Sequence, residues 1–159
     1  MISTTIIRHW KENRAKCSLR GLEERPDLTF VPAYEGMIFP ADGFMLLTVD
    51  APPLDPDDPA LSPRPPLLLL DATWRLAPLL ERMLRGSPLR RSLPAGWVGA
   101  YPRRSKLFCD PGEGLATVEA LYAARLMLGD EQPGLLEHYR WAEDFLRLNT
   151  SRIAAGRRD

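Results

Sequence analysis

The chain has 159 residues with 21 basic and 21 acidic side chains, so its formal net charge is zero. This length fits one domain, and the longest leucine run, four residues, is far too short to span a membrane. Two cysteines, Cys17 and Cys109, provide neither a disulfide framework nor the paired spacing of a zinc site. The N-terminus shows no secretory pattern, so we expect a reduced, cytoplasmic, metal-free protein that does not contact a membrane.

Strands are predicted early in the chain and helices later. β-rich or apolar runs predict strands at 4–9, 28–31, 44–49 and 67–70, with a proline-rich loop over 51–66. Helical spacing follows over 75–85, then a short strand around 97–101 and amphipathic helices over 115–128 and 135–148. In the first of these two helices, which Gly129 ends, Arg125 falls in the apolar stripe. The order of elements predicts a single α/β domain.

The leucine run at 67–70 leads directly into Asp71-Ala72-Thr73-Trp74. A short apolar run after a proline turn indicates a strand buried on both faces. Ligands of open α/β sheets bind at the carboxyl ends of the strands, where Asp71 and Trp74 fall. Asp71 as a simple helix N-cap and Trp74 as a core residue remain the structural alternatives.

Charge is unevenly distributed along the chain. Residues 75–106 contain eight basic side chains and one acidic one, Glu81, which leaves a local charge of +7. Such a segment in a neutral protein favours an anionic partner, and a solvated basic surface is the alternative. No glycine-rich phosphate loop is present, and the two histidines, His9 and His138, are interpreted as packed or surface residues.

Six short motifs are spread along the chain. They are Lys16-Cys17-Ser18, Leu70-Asp71-Ala72-Thr73-Trp74, Arg91-Ser92-Leu93-Pro94, Ala100-Tyr101-Pro102, Thr117-Val118-Glu119-Ala120-Leu121, and the ending over 139–149. Together they resemble the superfamily that joins the small-subunit rRNA aminocarboxypropyltransferases to the DTW-domain tRNA aminocarboxypropyltransferases. The resemblance covers nearly the whole chain. It departs from the tRNA branch in its lone Cys17 and from the rRNA branch at 100–105.

The resemblance implies a SPOUT-like open α/β sheet with a C-terminal trefoil knot. A strand-rich part would cover about 1–66 and a knotted, donor-binding part about 67–159. It also implies S-adenosylmethionine as donor of a 3-amino-3-carboxypropyl group to a uridine or pseudouridine nitrogen of rRNA or tRNA, with release of methylthioadenosine. We expect RNA as partner and a monomer. A methyltransferase on the same fold and a non-catalytic RNA-binding or ribosome-assembly protein are the alternatives.

The resemblance also assigns roles to individual residues. Asp71 and Trp74 would be catalytic and line the cavity for the transferred chain, with Asp71 either binding the donor's amino group or accepting the proton. The other donor-binding residues would be Ser18 at the amino acid end, Leu93, Ala100 and Tyr101 beside the adenosine, and Thr117 in the final motif. Glu119 belongs to the same motif, and it and Thr117 are otherwise helix-capping residues. Phosphate contacts are assigned to Arg103, Arg104 and Lys106, with solvated charge as the alternative.

Overall fold

A computed structural model describes residues 1–11, 17–73, 75–102 and 114–157. The strands are β1 (Thr4–Arg8), β2 (Leu28–Pro32), β3 (Phe39–Pro40), β4 (Met45–Leu47), β5 (Leu67–Asp71), β6 (Leu84–Arg85) and β7 (Leu89–Arg91). Five of them form one parallel sheet in the order β2-β1-β5-β4-β7, and β3 pairs with β6. The described chain is therefore a mixed α/β domain built on a parallel sheet.

The leucine strand β5 lies at the centre of this sheet and is buried on both faces, and the sequence predicted the burial. Leu67, Leu68 and Leu69 are at most 3% exposed. Leu67 and Leu69 join the larger apolar core, whereas Leu68 joins a second core on the other face. Burial on both faces explains why the strand is an uninterrupted apolar run.

The helices cover both faces of the sheet. They are α1 (Ala77–Glu81), α2 (Thr117–Met127), α3 (Ala142–Leu148) and α4 (Thr150–Gly156), with one turn of 3-10 helix at Pro59–Leu61. Gly129 ends α2 as predicted: its amide donates to the Leu126 carbonyl and its φ is +74°, a conformation that favours glycine. In the described ranges, no helix is long and apolar enough to cross a membrane.

Two predicted elements near the middle of the chain are wrong. The helix expected over 75–85 is only Ala77–Glu81, because the chain leaves it to pair Leu84 and Arg85 with β3. Residues 97–101 form no strand, because their backbone bonds to side chains rather than to a neighbouring strand. The strand that closes this side of the sheet is β7, which the sequence did not indicate.

The helix predicted over 135–148 is also wrong in its first half, since α3 begins only at Ala142. The preceding residues form successive turns, in which the Glu137 amide donates to Gly134 and the Tyr139 amide to Leu136. Bonds between residues three apart reproduce the apolar spacing of a helix without a continuous helix. The last helix, α4, was not predicted.

Candidate functional site

Asp71 lies at the carboxyl end of β5, directly opposite Arg8 at the end of β1. Arg8 Nε donates to Asp71 Oδ2 at 3.2 Å, and both residues are buried. The two strands run parallel and in register, so their last residues meet at one edge of the sheet. A buried pair of this kind depends on further hydrogen bonds to compensate its loss of hydration.

Those further bonds come from two distant parts of the chain. The Cys17 thiol donates to Asp71 Oδ2 at 3.2 Å, and the Thr117 hydroxyl donates to Oδ1 at 3.0 Å. Both carboxylate oxygens therefore accept hydrogen bonds. We call Arg8, Cys17, Asp71 and Thr117 the Asp71 cluster. It joins β1, β5, the start of α2 and the segment after 16.

The thiol of Cys17 acts as a hydrogen-bond donor and not as a nucleophile. Burial raises its pKa, and the negative charge of Asp71 raises it further, to about 12. Since the thiolate is the reactive form of cysteine, Cys17 is inert at neutral pH. The Asp71 cluster therefore contains no activated nucleophile, which argues against covalent catalysis here.

We expect Cys17 to resist alkylation by iodoacetamide at pH 8 in the folded protein, because it is buried and protonated. Peptide mass spectrometry after timed alkylation measures this. The same protein unfolded in guanidinium chloride is the control and should label at Cys17 rapidly. Equal labelling rates in the two samples would contradict the described geometry.

The segment 97–101, here called the clamped loop, is held by two side chains from later in the sequence. Glu119 is fully buried, and its carboxylate accepts from the amides of Ala100 and Ala116, both at 2.7 Å. Asn149 exchanges two hydrogen bonds of 2.8 Å with the backbone of Val98. Side chains thereby make the hydrogen bonds to the loop backbone that a neighbouring strand would otherwise make.

Close packing inside this clamp requires a glycine. A Cβ on Gly99 would lie 3.2 Å from the Gly114 carbonyl oxygen and 3.3 Å from Glu119 Oε1. These contacts are tighter than most side chains make, so a larger residue would push the loop away from α2. The backbone of the clamped loop is thus fixed against the start of α2.

The other predicted donor residues lie around the same two features. Ser18 Oγ accepts from the Val118 amide at 3.2 Å and so satisfies a donor at the start of α2. Tyr101 packs edge-on against Trp141, with ring centroids 5.0 Å apart. Leu93 and Ala100 are partly buried against the larger core. Trp74, Arg103, Arg104 and Lys106 lie outside the described residues.

His9 follows β1 and is buried, which confirms that it is a packed residue. Burial lowers its pKa, and nearby Lys11 lowers it further. The ring is therefore neutral at pH 7, and its Nδ1 accepts from the Lys11 amide at 2.9 Å. His138 is exposed and packs against Gly21. A Cβ on Gly21 would lie only 2.7 Å from the His138 ring.

Sequence reasoning missed two residues of this arrangement, Arg8 and Asn149. A weak signal for Arg8 was present, because residues of opposite charge, Arg8 and Asp71, stand at or next to the ends of two predicted strands. Asn149 is the last residue of the motif over 139–149, and no role was predicted for it. Nothing in its spacing indicated a contact with Val98. Cys17 is 6% exposed and donates to Asp71, a contact that the sequence did not indicate.

The described residues of this site can orient a ligand and provide charge. Within the described part of the chain, no three His, Cys, Asp or Glu side chains are grouped so as to hold a metal ion. What the strand edge provides is a carboxylate fixed on both oxygens beside a rigid loop of small residues. The strand edge thus carries a buried carboxylate that is paired with Arg8 and held in one orientation.

A solved structure shares this fold. It is the SAM-dependent rRNA:acp-transferase Tsr3 from Vulcanisaeta distributa, and the comparison covers 97% of this chain and 82% of that chain. The TM-score is 0.69 and the sequence identity is 23%. The chain thus has the parallel-sheet α/β fold of that protein.

The sequence comparison also finds a relative that is named as an rRNA aminocarboxypropyltransferase. The chain is 32% identical over 111 residues to the 16S rRNA aminocarboxypropyltransferase of Vulcanisaeta distributa. The match covers 65% of this chain and spans 57% of the length of that relative. No family model matches the chain.

Proposed function

We propose that the chain is an S-adenosylmethionine-dependent enzyme that transfers a 3-amino-3-carboxypropyl group to a uridine or pseudouridine nitrogen in RNA. The observation that carries this proposal is the 32% identity to a protein named as a 16S rRNA aminocarboxypropyltransferase. The shared fold, over 97% of the chain, supports it. Both relatives are named for rRNA, which favours rRNA over tRNA as the substrate.

Asp71 is proposed to orient the donor rather than to act as a free base. Its two oxygens already accept from Arg8, Cys17 and Thr117, which fixes the carboxylate in one position. When bound, S-adenosylmethionine supplies a carbon activated by a sulfonium leaving group. The protein's contribution is then to hold the amino acid chain, and not the methyl group, towards the acceptor. Trp74 is proposed to line the cavity for the transferred amino acid chain.

The clamped loop is proposed to receive the adenosine through its backbone. Ala100 and Tyr101 belong to it, and Leu93 precedes it. Because Asn149 holds Val98 and Glu119 holds Ala100, the backbone of the loop keeps one geometry. Fixed donors and acceptors bind a ligand without the entropy loss of ordering a flexible loop.

Glu119→Gln should weaken donor binding. An amide has one acceptor oxygen, so either the Ala100 or the Ala116 amide loses its partner. We expect a loss of about 1–3 kcal/mol in stability and a KM for S-adenosylmethionine that rises more than kcat falls. Steady-state kinetics and thermal melting measure both, with exposed Glu143→Gln as the matched control. A variant with unchanged KM and stability would remove Glu119 from this role.

We further propose the SPOUT-like trefoil knot within about 67–159, a single domain that begins with a strand-rich part over about 1–66, and action as a monomer in the cytoplasm. The knot is what the resemblance implies; later chain contacts the clamped loop through Glu119 and Asn149. Phosphate contacts by Arg103, Arg104 and Lys106 remain part of the proposal and rest on local charge alone.

The proposal is tested by calorimetric titration with S-adenosylmethionine, followed by mass spectrometry of the products formed with small-subunit rRNA. We expect binding and release of methylthioadenosine. Release of S-adenosylhomocysteine would identify a methyltransferase instead. RNA binding without donor binding would identify a non-catalytic RNA-binding protein.

A further inference from the structure

A cleft of about 620 Å³ opens on the α1 side of the sheet. We call it the α1 cleft. Its lining includes Trp10, Lys11, Ile38, Leu79, Arg82 and Arg85. Trp10 follows β1, Ile38 follows β2, and Leu79 follows β5. Because these strands are parallel, all three segments leave the sheet at its carboxyl edge, the edge that carries Asp71.

The apolar side chains of the α1 cleft are unusually exposed. Trp10 is 45% exposed and Ile38 61% exposed, and Leu79 is also exposed. The indole of Trp10 stacks on the buried ring of His9, with centroids 4.0 Å apart. His9 therefore supports one face of an indole that is 45% exposed. A rigid, exposed aromatic ring of this kind is a stacking platform for nucleic acid bases.

The charge of the α1 cleft is positive. Lys11, Arg82 and Arg85 line it against one carboxylate, Glu35. None of these three cations forms an ion pair with another described residue, whereas Arg90 nearby is paired with Glu81 at 2.9 Å. Arg85 donates instead to the carbonyls of Arg82 and Leu84, which holds its guanidinium close to the chain at the cleft.

We propose that the α1 cleft binds a single-stranded segment of the RNA substrate, next to the nucleotide that is modified. One base would stack on Trp10, while Arg82 and Arg85 contact the phosphates on either side. The α1 cleft adjoins the Asp71 end of the sheet, since the amide of His9, the residue before Trp10, donates to the Asp71 carbonyl at 3.0 Å. This inference rests on the proposed function for the identity of the RNA.

The test measures fluorescence anisotropy of a labelled oligouridylate of about 12 nucleotides, a length that such sites cover. Trp10→Ala should weaken binding about tenfold, while Trp10→Phe, which keeps a stacking ring, should stay near the wild-type value. Arg82→Gln/Arg85→Gln should lower the slope of log affinity against log salt by about 1.4. Arg64→Gln/Arg147→Gln, which removes two exposed charges elsewhere, should leave the oligouridylate affinity near the wild-type value.

Thermal melting of each variant excludes unfolding as the cause, and the Phe variant tests stacking directly. Unchanged affinity in Trp10→Ala and an unchanged salt slope in the arginine pair would overturn the proposal. Titration of the same variants with S-adenosylmethionine separates the two proposals. If the wild type binds no donor, the proposed function fails, yet a Trp10-dependent oligouridylate affinity still supports the α1 cleft.

Discussion

Asp71→Asn is expected to lower methylthioadenosine release by about 10²-fold, because a donor that is no longer held by the Asp71 charge is misplaced relative to the acceptor. The variant preserves shape and most hydrogen bonds. The amide oxygen can still accept from Arg8 and Cys17, and the amide nitrogen can donate to the Thr117 hydroxyl, which rotates to accept. What disappears is the negative charge beside the proposed donor.

Asp71→Ala should also lose turnover, with a larger loss of stability. It leaves the buried guanidinium of Arg8 with Glu23 at 3.5 Å as its remaining described ion-pair partner. Breaking a buried pair from one side typically costs about 3–5 kcal/mol. The asparagine variant is therefore the better probe of function, and the alanine variant the better probe of the cluster's structural role.

Comparing the two variants separates catalysis from folding. Turnover, donor affinity and melting temperature are measured for both, with Asp58→Asn as the control. Asp58 also pairs with an arginine, Arg91 at 2.7 Å, and its pKa is lowered by that partner. Full turnover in Asp71→Asn would leave Asp71 as a structural residue only.

The sequence predicted the centre of the site better than its surroundings. The leucine run alone placed Asp71 at a strand end, because a fully buried strand leaves a local apolar signature. Its partner Arg8 could not be predicted from local pattern. It depends on which strands are neighbours and on their register, and these are properties of the assembled sheet.

The clamped loop shows a second limit of the sequence. Its residues were predicted as a strand because aromatic and β-branched residues favour extended backbone. The structure does hold the loop rigidly, but the partners are Glu119 and Asn149 rather than a strand. Side-chain pairing with a backbone more than 15 residues away leaves no periodic signal, so the distinction lies beyond pattern analysis.

Arg125 illustrates a signal that was visible in the sequence. It falls in the apolar stripe of α2, where a charge must be paired if the helix packs. In the structure it is fully buried and donates to Asp27, to the Ile2 carbonyl and to the Thr4 hydroxyl. These partners lie at the amino ends of β1 and β2, so Arg125 anchors the last turns of α2 to the edge opposite Asp71.

Arg125→Met is therefore expected to cost about 3–5 kcal/mol of stability, since it leaves the Asp27 carboxylate buried with Arg25 alone. Denaturant unfolding measures the loss. Arg147→Met, which removes an exposed pair with Asp144, is the matched control and should cost less than about 1 kcal/mol. Adding Asp27→Asn to Arg125→Met should recover part of the stability, because the unpaired charge is removed.

The same anchor gives the protein a defined response to acid. Burial would raise the pKa of Asp27, but hydrogen bonds from Arg25 and Arg125 outweigh it and hold the pKa at about 2, below the ordinary 3.8. Its contribution to stability is therefore complete above pH 3.8 and is lost as the pH falls towards 2. In Arg125→Met this acid-dependent loss should shrink, because one of the two groups that lower the pKa is gone. An identical pH profile in both proteins would mean that Arg25 alone holds Asp27. α2 thus contacts both edges of the sheet, with Thr117 on Asp71 at its first turn and Arg125 on Asp27 near its last.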